Sequence, residues 1–238
     1  MTIVRTRRAP AARALLLAST LAVAGLACST SDEPRAALAT AKTSPAAAPG
    51  DTGVTARADA GRTSGRADAK VWLIEISDFQ CPYCKMWHDS TYPAIRREYV
   101  ESGKVRMAYV NLPLSSHKHA WPAAEAAMCA SVQGRFWPVH DGIFDTQEQW
   151  ARLPDAIPTF AGIAEKSGVE MGAWRTCMDR HQTRTLIAAD ADRATASGIQ
   201  STPSFIVGNQ LVAGAYPTEV FRQVLDSALA AADRGGSR

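Results

Sequence analysis

Residues 71–84 read VWLIEISDFQCPYC and carry the most informative pattern of this 238-residue sequence. The first seven are rich in β-branched, aromatic and other apolar residues, which predicts a β-strand. Cys81 and Cys84 follow, and Pro82 between them suits the first turn of a helix, since the later residues show helical spacing. A helix N-terminus carries unpaired N–H groups and a partial positive charge, and both favour a thiolate over a thiol. The pattern therefore predicts thiol–disulfide chemistry at this pair.

Two other uses of a C-x-x-C pair are a structural disulfide and half of a zinc site. A zinc ribbon needs a second C-x-x-C or a histidine pair at ribbon spacing, and the sequence contains no second C-x-x-C. No metal ligand is predicted among the histidines, which are His88, His117, His119, His140 and His181. The sequence thus predicts redox chemistry with no metal and no cofactor.

The N-terminal 27 residues differ from the remainder in charge. They contain four arginines and no acidic residue, so these arginines account for the whole net charge of +3. No basic surface for nucleic acid is expected in the rest of the chain. An uncharged, mostly apolar run from Ala14 to Ala27 follows the arginines. This arrangement predicts a secretory signal, because the run is shorter than the roughly 20 residues of a membrane-spanning helix.

The apolar run ends in Gly25-Leu26-Ala27-Cys28, which resembles a bacterial lipobox. In that motif the cysteine is lipidated and becomes the mature N-terminus, and Gly25 stands where leucine is usual. Cys28 is also the odd one among five cysteines. Residues 1–28 are therefore predicted to be a signal peptide that leaves a lipid anchor at Cys28, placing an exported protein in the periplasm or cell envelope. The alternative is a conventional signal peptide cleaved nearby.

Residues 29–64 consist mainly of Ala, Thr, Ser, Pro and Gly with some Asp and Arg. A segment with almost no large apolar side chain buries too little surface to offset its ordering entropy. We therefore expect a disordered tether with a reach of about 30–35 Å. Such a tether would hold a folded domain away from a membrane surface.

Two segments resemble the DsbA-like thioredoxin-fold oxidoreductases. The first runs from Gly65 to Cys84 and looks like the active-site strand and turn of that family. The second, residues 129–144, reads CASVQGRFWPVHDGIF and is similar to the family's helical domain. The resemblance covers about residues 65–233 and implies an α/β, thioredoxin-like fold with an all-helical domain inserted between the two halves of the sheet.

This resemblance and the hydrophobic pattern together predict the domain organisation. Residues 65–112 and 199–238 are expected to form the thioredoxin-like domain, and residues 113–198 the helical insertion. The individual elements are predicted as strands over residues 71–77, 105–111, 199–207 and 210–212, and as helices over residues 82–99, 120–133, 135–144, 158–166, 171–197 and 217–231. Pro93 is expected to kink or break the first of these helices.

Cys129 and Cys177 both fall in the insertion. In an exported protein the two remaining cysteines are expected to pair, and the resemblance supports a second disulfide in the helical domain. A disulfide between them would close a loop of about 48 residues, and such a cross-link stabilises the fold by roughly 4 kcal/mol in the chain-entropy model. A second redox pair that passes electrons to the first is the alternative.

The resemblance also implies roles for residues around the C-x-x-C. Cys81 is expected to be the exposed nucleophile and Cys84 the buried resolving thiol. Thr202 and Pro203 resemble the cis-proline loop that faces the cysteines in this fold. Glu75 matches a buried acid that relays protons to or from Cys84, with a solvated strand residue as the alternative.

Pro82 and Tyr83, between the cysteines, are expected to tune the redox potential. The DsbA type usually has histidine at the second of these positions, and Tyr83 cannot carry a positive charge.

The function predicted from these motifs together is an exported thiol:disulfide oxidoreductase that oxidises cysteines of other exported proteins. A reductase or isomerase of the same fold, and a tethered metal-binding or chaperone module, remain as alternatives.

The expected partners follow from that function. They are exported proteins with cysteines and a membrane or soluble redox partner that recycles the pair. Contact with the membrane is expected only through the N-terminal lipid. The chain is expected to be a monomer, because isomerases of this kind need an extra dimerisation domain and the linker is too polar to supply one.

Overall fold

The computed structural model describes residues 52–235. The predicted signal peptide, the lipidation site Cys28 and the tether up to residue 51 lie outside the described residues. Among residues 52–235, no helix combines the length and the apolar character needed to cross a membrane.

The sheet has five strands in the order β1-β3-β2-β4-β5. Their bounds are Thr63–Ser64 (β1), Val71–Ser77 (β2), Val105–Asn111 (β3), Ser204–Val207 (β4) and Gln210–Ala213 (β5). Strands β2 and β3 pair in parallel, and the other three pairings are antiparallel. The strand that precedes the two cysteines is therefore central and has a partner on each side. The predicted strand 199–207 starts only at Ser204, because Pro203 has no N–H to donate to a ladder.

Ten α-helices are present in the described part of the chain. Their bounds are Thr52–Gly61 (α1), Pro82–Ser90 (α2), Tyr92–Ile95 (α3), Ala120–Ser131 (α4), Phe136–Asp145 (α5), Gln147–Trp150 (α6), Ile157–Lys166 (α7), Met171–Asp179 (α8), Arg184–Ala196 (α9) and Thr218–Gly235 (α10). A π-helical turn, Arg96–Val100, follows α3. Helices α4 to α9 all lie between β3 and β4 in the sequence, in the region predicted to be a helical insertion.

Two predicted helices are interrupted. The helix expected over residues 82–99 is divided into α2, α3 and the π-helical turn, in line with the break expected near Pro93. The long helix expected over residues 171–197 is divided into α8 and α9, so the prediction of one continuous helix was wrong for the residues between them. His181 there has a positive φ of 50°, which no α-helix accommodates.

The prediction of a disordered tether is wrong for residues 52–64, which form α1 and β1. Helix α1 packs on α4 through small residues, and Ala58 is fully buried. Ser131 Oγ donates a 2.6 Å hydrogen bond to the Ala58 carbonyl. A Cβ on Gly61 would lie 2.3 Å from the Ser131 carbonyl oxygen, so glycine is required for this close approach. Close backbone packing here replaces the large apolar side chains that the sequence lacks.

A buried ion pair holds the same segment from its C-terminal end. Arg62, 5% exposed, pairs with Asp190 of α9, which is fully buried. Asp190 also accepts hydrogen bonds from the backbone N–H and side-chain amide of Asn111 at the end of β3. The start of the described chain is thus fixed to both the sheet and the insertion.

Three apolar clusters form the core. The largest joins Cys81, Cys84 and Phe79 to the helices of the insertion. A second lies between the sheet and α10, with Trp87, Phe205 and Phe221 in ring contact. The third covers the opposite face of the sheet under α9. The C-x-x-C pair therefore lies where the sheet and the helical insertion meet.

Candidate active site

Cys81 and Cys84 occupy the N-terminus of α2. Cys81 is the N-cap residue, with extended backbone angles (φ −70°, ψ 123°), and Pro82 follows in the first turn. The turn that leads into the helix is closed by a 3.0 Å hydrogen bond from the Cys81 N–H to the Asp78 carbonyl. Cys81 is 4% exposed and Cys84 is fully buried. Cys81 is therefore buried rather than exposed as predicted, since the loop with Thr202 contacts it, but of the two thiols it is the one that retains some solvent access.

The two thiols differ in acidity. The pKa of Cys81 is lowered from 9.0 to about 6, first by a hydrogen bond from the Cys84 thiol and further by Thr202 and the backbone N–H groups of Cys84 and Tyr83. Burial raises the pKa of Cys84 well above its ordinary value, and proximity to Cys81 raises it further. At neutral pH the structure thus favours a thiolate on Cys81 and a thiol on Cys84.

The loop before β4 faces Cys81. The Thr202–Pro203 peptide bond is cis, and both residues are buried. The Cys81 thiol donates a hydrogen bond to the Thr202 carbonyl, with 3.4 Å between Sγ and oxygen. The structure thus brings together the four residues that the sequence assigned to this part of the site.

Glu75 points into the interior, which the sequence left open. It is 1% exposed and lies on β2 between Tyr109 of β3 and Phe205 of β4. Burial raises the pKa of Glu75 to about 7, while Ser77 and His88 lower it. In the described structure its Oε2 has no hydrogen-bond partner. A carboxyl group with a pKa near neutrality can take up and release a proton under the conditions of thiol exchange.

Ser77 and Tyr109 also belong to this buried region, although the sequence did not single them out. Ser77 is two residues after Glu75 and so faces the same side of β2. Its hydroxyl lowers the pKa of both Glu75 and Cys84, so Ser77 is a neighbour of both groups. Tyr109, fully buried, has its pKa raised well above the ordinary value by burial. The period-two spacing from Glu75 is the signal that would have found Ser77.

Two grooves of different character flank the cysteines. One, of about 400 Å³, is lined by Tyr83, Met86, Pro203 and Tyr216 among others. Tyr83 is 63% exposed, Met86 46% and Tyr216 47%, so this side presents large apolar groups to solvent. The other groove is larger, about 750 Å³, and its lining includes the charged side chains of Lys85, Glu148 and Arg152. Pro82 also lines this larger groove.

Cys129 of α4 and Cys177 of α8 are joined by a disulfide within the insertion. Both are buried in the largest apolar cluster, and the bond closes a separation of 48 residues. The bond ties two helices of the insertion together.

Three histidines pair with single neighbours in the described structure. His117 pairs with Asp78, His119 contacts the Leu153 carbonyl, and His181 pairs with Glu125. His88 and His140 are different, because both approach Asp141 in the contact between α2 and α5. The sequence did not predict this cluster, since 52 positions separate His88 from His140.

The family model described as thioredoxin matches residues 57–227. The chain belongs to the thioredoxin family. This thioredoxin-family chain is 33% identical over 175 residues to the Na(+)/H(+) antiporter NhaA 3 of Salinispora tropica, a match that covers 73% of the chain and 26% of the antiporter. It thus spans about a quarter of the length of that relative. It is also 28% identical over 152 residues to the probable disulfide bond formation protein D of Bacillus anthracis, covering 62% of the chain and 69% of that protein.

The structure of this thioredoxin-family protein is similar to that of BdbD from Bacillus subtilis in its oxidised form. The TM-score is 0.65 at 21% sequence identity, over 72% of this chain and 94% of BdbD. The predicted resemblance to the DsbA-like oxidoreductases is confirmed, as is the thioredoxin-like fold with its helical insertion.

Proposed function

We propose that this protein is an exported thiol:disulfide oxidoreductase that oxidises cysteine pairs in other exported proteins. The observation that carries the proposal is the asymmetry of Cys81 and Cys84, an acidic accessible thiol and a buried, less acidic one, opposite Pro203. The names of relatives such as disulfide bond formation protein D support it. One chain supplies every residue of the site, so a monomer is sufficient.

The reaction is a two-electron exchange. A substrate thiolate attacks Cys81 Sγ of the oxidised pair, the Cys81–Cys84 bond breaks, and Cys84 leaves as a thiolate that takes up a proton. The second substrate thiolate then attacks the substrate sulfur of the mixed disulfide and releases Cys81 as a thiolate. The substrate is oxidised to a disulfide and the protein is reduced to the dithiol.

Glu75 is proposed to supply the proton that Cys84 needs. It is buried, it has a pKa of about 7, and the Ser77 hydroxyl lowers both this pKa and that of Cys84. Protonation of the departing Cys84 thiolate makes the first step harder to reverse, because a thiol is a poor nucleophile. Glu75 is thus proposed as the proton relay of the resolving cysteine.

The acidity of Cys81 supports electron flow from substrate to protein. Stabilising the thiolate stabilises the reduced form, which makes the disulfide more oxidising. At pH 7, lowering the pKa from 9.0 to about 6 favours the reduced form by about 1.4 kcal/mol, or about 30 mV for two electrons. This effect needs no cation at position 83, because the hydrogen bonds of the Cys84 thiol and the helix N–H groups supply it. Because Tyr83 adds no positive charge to this stabilisation, the redox potential is expected to be that of a moderate rather than a very strong oxidant.

The apolar groove is proposed to receive substrate segments. Tyr83, Met86 and Tyr216 offer exposed, adaptable apolar contacts next to Cys81. Unfolded segments of exported proteins expose apolar side chains near their cysteines, so they match this surface. A redox partner, soluble or in the membrane, is proposed to reoxidise the pair through the same access to Cys81.

The N-terminal sequence supports export and lipid anchoring at Cys28. The four arginines, the apolar run and the Gly25-Leu26-Ala27-Cys28 segment carry this part of the proposal. The likeness to part of an antiporter supports a domain that works close to a membrane.

The test is the oxidation of a reduced, unfolded cysteine-containing protein by the full chain. Cys81→Ser and Cys84→Ser are each expected to abolish oxidation, because a lone thiol forms no intramolecular disulfide that can be exchanged with the substrate. Cys28→Ser serves as the matched control and should oxidise substrate at the wild-type rate. Oxidation by Cys81→Ser at the wild-type rate would overturn the proposal, and a potential at or below about −270 mV would convert it to a reductase.

A further inference from the structure

His88, His140 and Asp141 converge in the contact between α2 and α5. Asp141 Oδ1 lies 2.8 Å from Nδ1 of His140 and 3.5 Å from Nε2 of His88. One ligand atom from each of the three residues can be chosen so that all lie within 4.8 Å of one another. Two imidazoles therefore approach a single carboxylate oxygen from two different helices.

Neighbouring side chains fix both rings. His88 Nδ1 lies 3.2 Å from Asp89 Oδ1, and a proton on Nδ1 shared with this carboxylate leaves the lone pair of Nε2 facing Asp141. His140 is fully buried and is held edge-on by the rings of Phe79, Tyr109 and Phe144. The two imidazoles cannot turn away without disturbing the core.

The cluster leaves one buried nitrogen atom unsatisfied on the side of Asp141. Nε2 of His88 is buried and has no hydrogen-bond partner within residues 52–235, whereas His140 already contacts Asp141 through Nδ1 and its own unpartnered Nε2 is on the other side of the ring. The 3.5 Å separation from Asp141 is too long for a good hydrogen bond from His88. Buried polar groups without partners are costly, so they mark a place where a ligand is accommodated.

We propose that His88, His140 and Asp141 form a binding site for a divalent transition-metal ion of the zinc or copper class. Two imidazoles and a carboxylate are a donor set that such ions accept. A tetrahedral ion with bonds of about 2.0–2.1 Å separates its ligand atoms by roughly 3.3 Å. The two separations that involve Asp141 Oδ1, 2.8 Å and 3.5 Å, lie on either side of that value, and the third, between the two imidazole nitrogens, is within 4.8 Å. The fourth position is left for water.

The charges around the site are balanced in favour of a cation. Arg96 donates to Asp141 Oδ2 at 3.1 Å and opposes a metal, but this side chain is 39% exposed and also pairs with Glu101. On the other side, Asp145 and Asp89 offer carboxylates that can approach His88, although Asp89 also pairs with Lys85 at 2.8 Å. Asp141 is itself 30% exposed, which gives an ion access from solvent.

The site shares no residue with the thiol exchange, although His88 lowers and Asp141 raises the pKa of Glu75. His88 lies one helical turn after Cys84 on α2, and His140 belongs to the insertion, so a bound ion would join the helix that carries the cysteines to α5. No electron transfer to the metal is involved. The expected effect of the ion is greater stability of the contact between α2 and α5.

The experiment uses the untagged full chain with Cys81 and Cys84 oxidised, so that no free thiol of the pair binds metal. After treatment with a chelator, Zn²⁺ is titrated by calorimetry and Co²⁺ by absorption spectroscopy. We expect one ion per chain and the ligand-field bands of four-coordinate Co²⁺. His88→Gln and His140→Gln should each lower the affinity at least tenfold, and Asp89→Asn by 10- to 100-fold. His181→Gln, at an exposed histidine outside the site, should bind like the wild type.

Absence of saturable one-to-one binding would overturn the proposal, as would equal losses in His88→Gln and His181→Gln. If His140→Gln does not fold, imidazole ¹⁵N spectra of the wild-type protein decide the question. Zn²⁺ should then shift the nitrogen resonances of two histidines only. Shifts confined to other histidines would contradict the site.

Discussion

Cys81 Sγ lies 3.4 Å from the Thr202 carbonyl oxygen, so the protonated thiol donates to the loop that faces it. A thiolate has no proton to donate and is instead stabilised by hydrogen bonds from the Cys84 thiol, the Thr202 side chain and the N–H groups of Cys84 and Tyr83. The two protonation states of Cys81 therefore use different hydrogen-bonding groups. Loss of the proton frees the Thr202 carbonyl, next to Pro203, for another donor.

The first prediction concerns the largest cause of the acidity of Cys81. Replacing Cys84 by Ala removes the thiol that donates to Cys81. The pKa of Cys81 should then rise from about 6 toward about 7 or 8, because a hydrogen bond to a charged group is worth about 1.5–3 kcal/mol. The pH dependence of alkylation of Cys81 measures this directly. Cys84→Ser keeps a hydroxyl donor and should raise the pKa less than Cys84→Ala does. Identical profiles for all three proteins would rule out the Cys84 thiol as the main cause.

The second prediction concerns Glu75 and stability. Burial raises the pKa of this carboxyl group from 4.5 to about 7, so the unfolded chain loses the proton at lower pH than the folded chain. Ionisation therefore costs folding stability progressively between pH 4.5 and 7, up to about 3 kcal/mol above that range. Glu75→Gln mimics the protonated acid and removes this cost. The variant should be as stable as the wild type at pH 4 and up to about 3 kcal/mol more stable at pH 8.

Urea unfolding at the two pH values checks this prediction, because contributions from other titrating groups cancel in the difference between variant and wild type. A difference in the free energy of unfolding that does not change with pH would show that Glu75 ionises like a solvated carboxyl group.

The sequence was most informative where structure is set locally. A strand, a C-x-x-C and a proline at the start of a helix lie within 14 residues, and the structure places them as predicted. The face of Glu75 was not predictable, because β2 is apolar on both sides. Trp72, Ile74 and Ile76 alternate with Leu73 and Glu75, and helices cover both faces of the sheet. The alternation therefore does not indicate which face of β2 carries Glu75.

Features that depend on distant contacts were missed. Helix α1 is built from residues with little apolar surface, and it is ordered by packing on α4 and by the pair of Arg62 with Asp190, 128 positions away. The cluster of His88 and His140 likewise depends on two helices that meet only in the folded chain. Neither helix α1 nor the histidine cluster could be identified from composition or hydrophobic periodicity, because both depend on close packing and charge pairing between distant segments.

The third prediction separates a structural disulfide from a second redox pair. The double variant Cys129→Ala, Cys177→Ala removes a cross-link between positions 48 residues apart, which is worth about 4 kcal/mol. The free energy of unfolding should fall by about that amount, and the rate of substrate oxidation at a temperature where the variant is folded should not change. A large loss of turnover by a folded variant, with the Cys81–Cys84 pair intact, would instead assign the second pair to electron transfer.

The last prediction concerns the buried pair that holds the N-terminal segment. Asp190 is fully buried and accepts from Arg62, Arg193 and Asn111, so Asp190→Ala leaves the buried Arg62 guanidinium with only the exposed carboxylate of Asp59 as counter-charge. Breaking a buried ion pair in this way costs about 3–5 kcal/mol, more than removal of both charges together. Asp190→Ala should therefore destabilise the protein by about that amount, and the double variant Arg62→Met, Asp190→Leu by less. Hydrogen exchange over residues 52–64 should accelerate most in the single variant, because Arg62 anchors this segment to α9. Equal exchange rates in the wild type and Asp190→Ala would show that packing of α1 on α4 holds the segment without the ion pair.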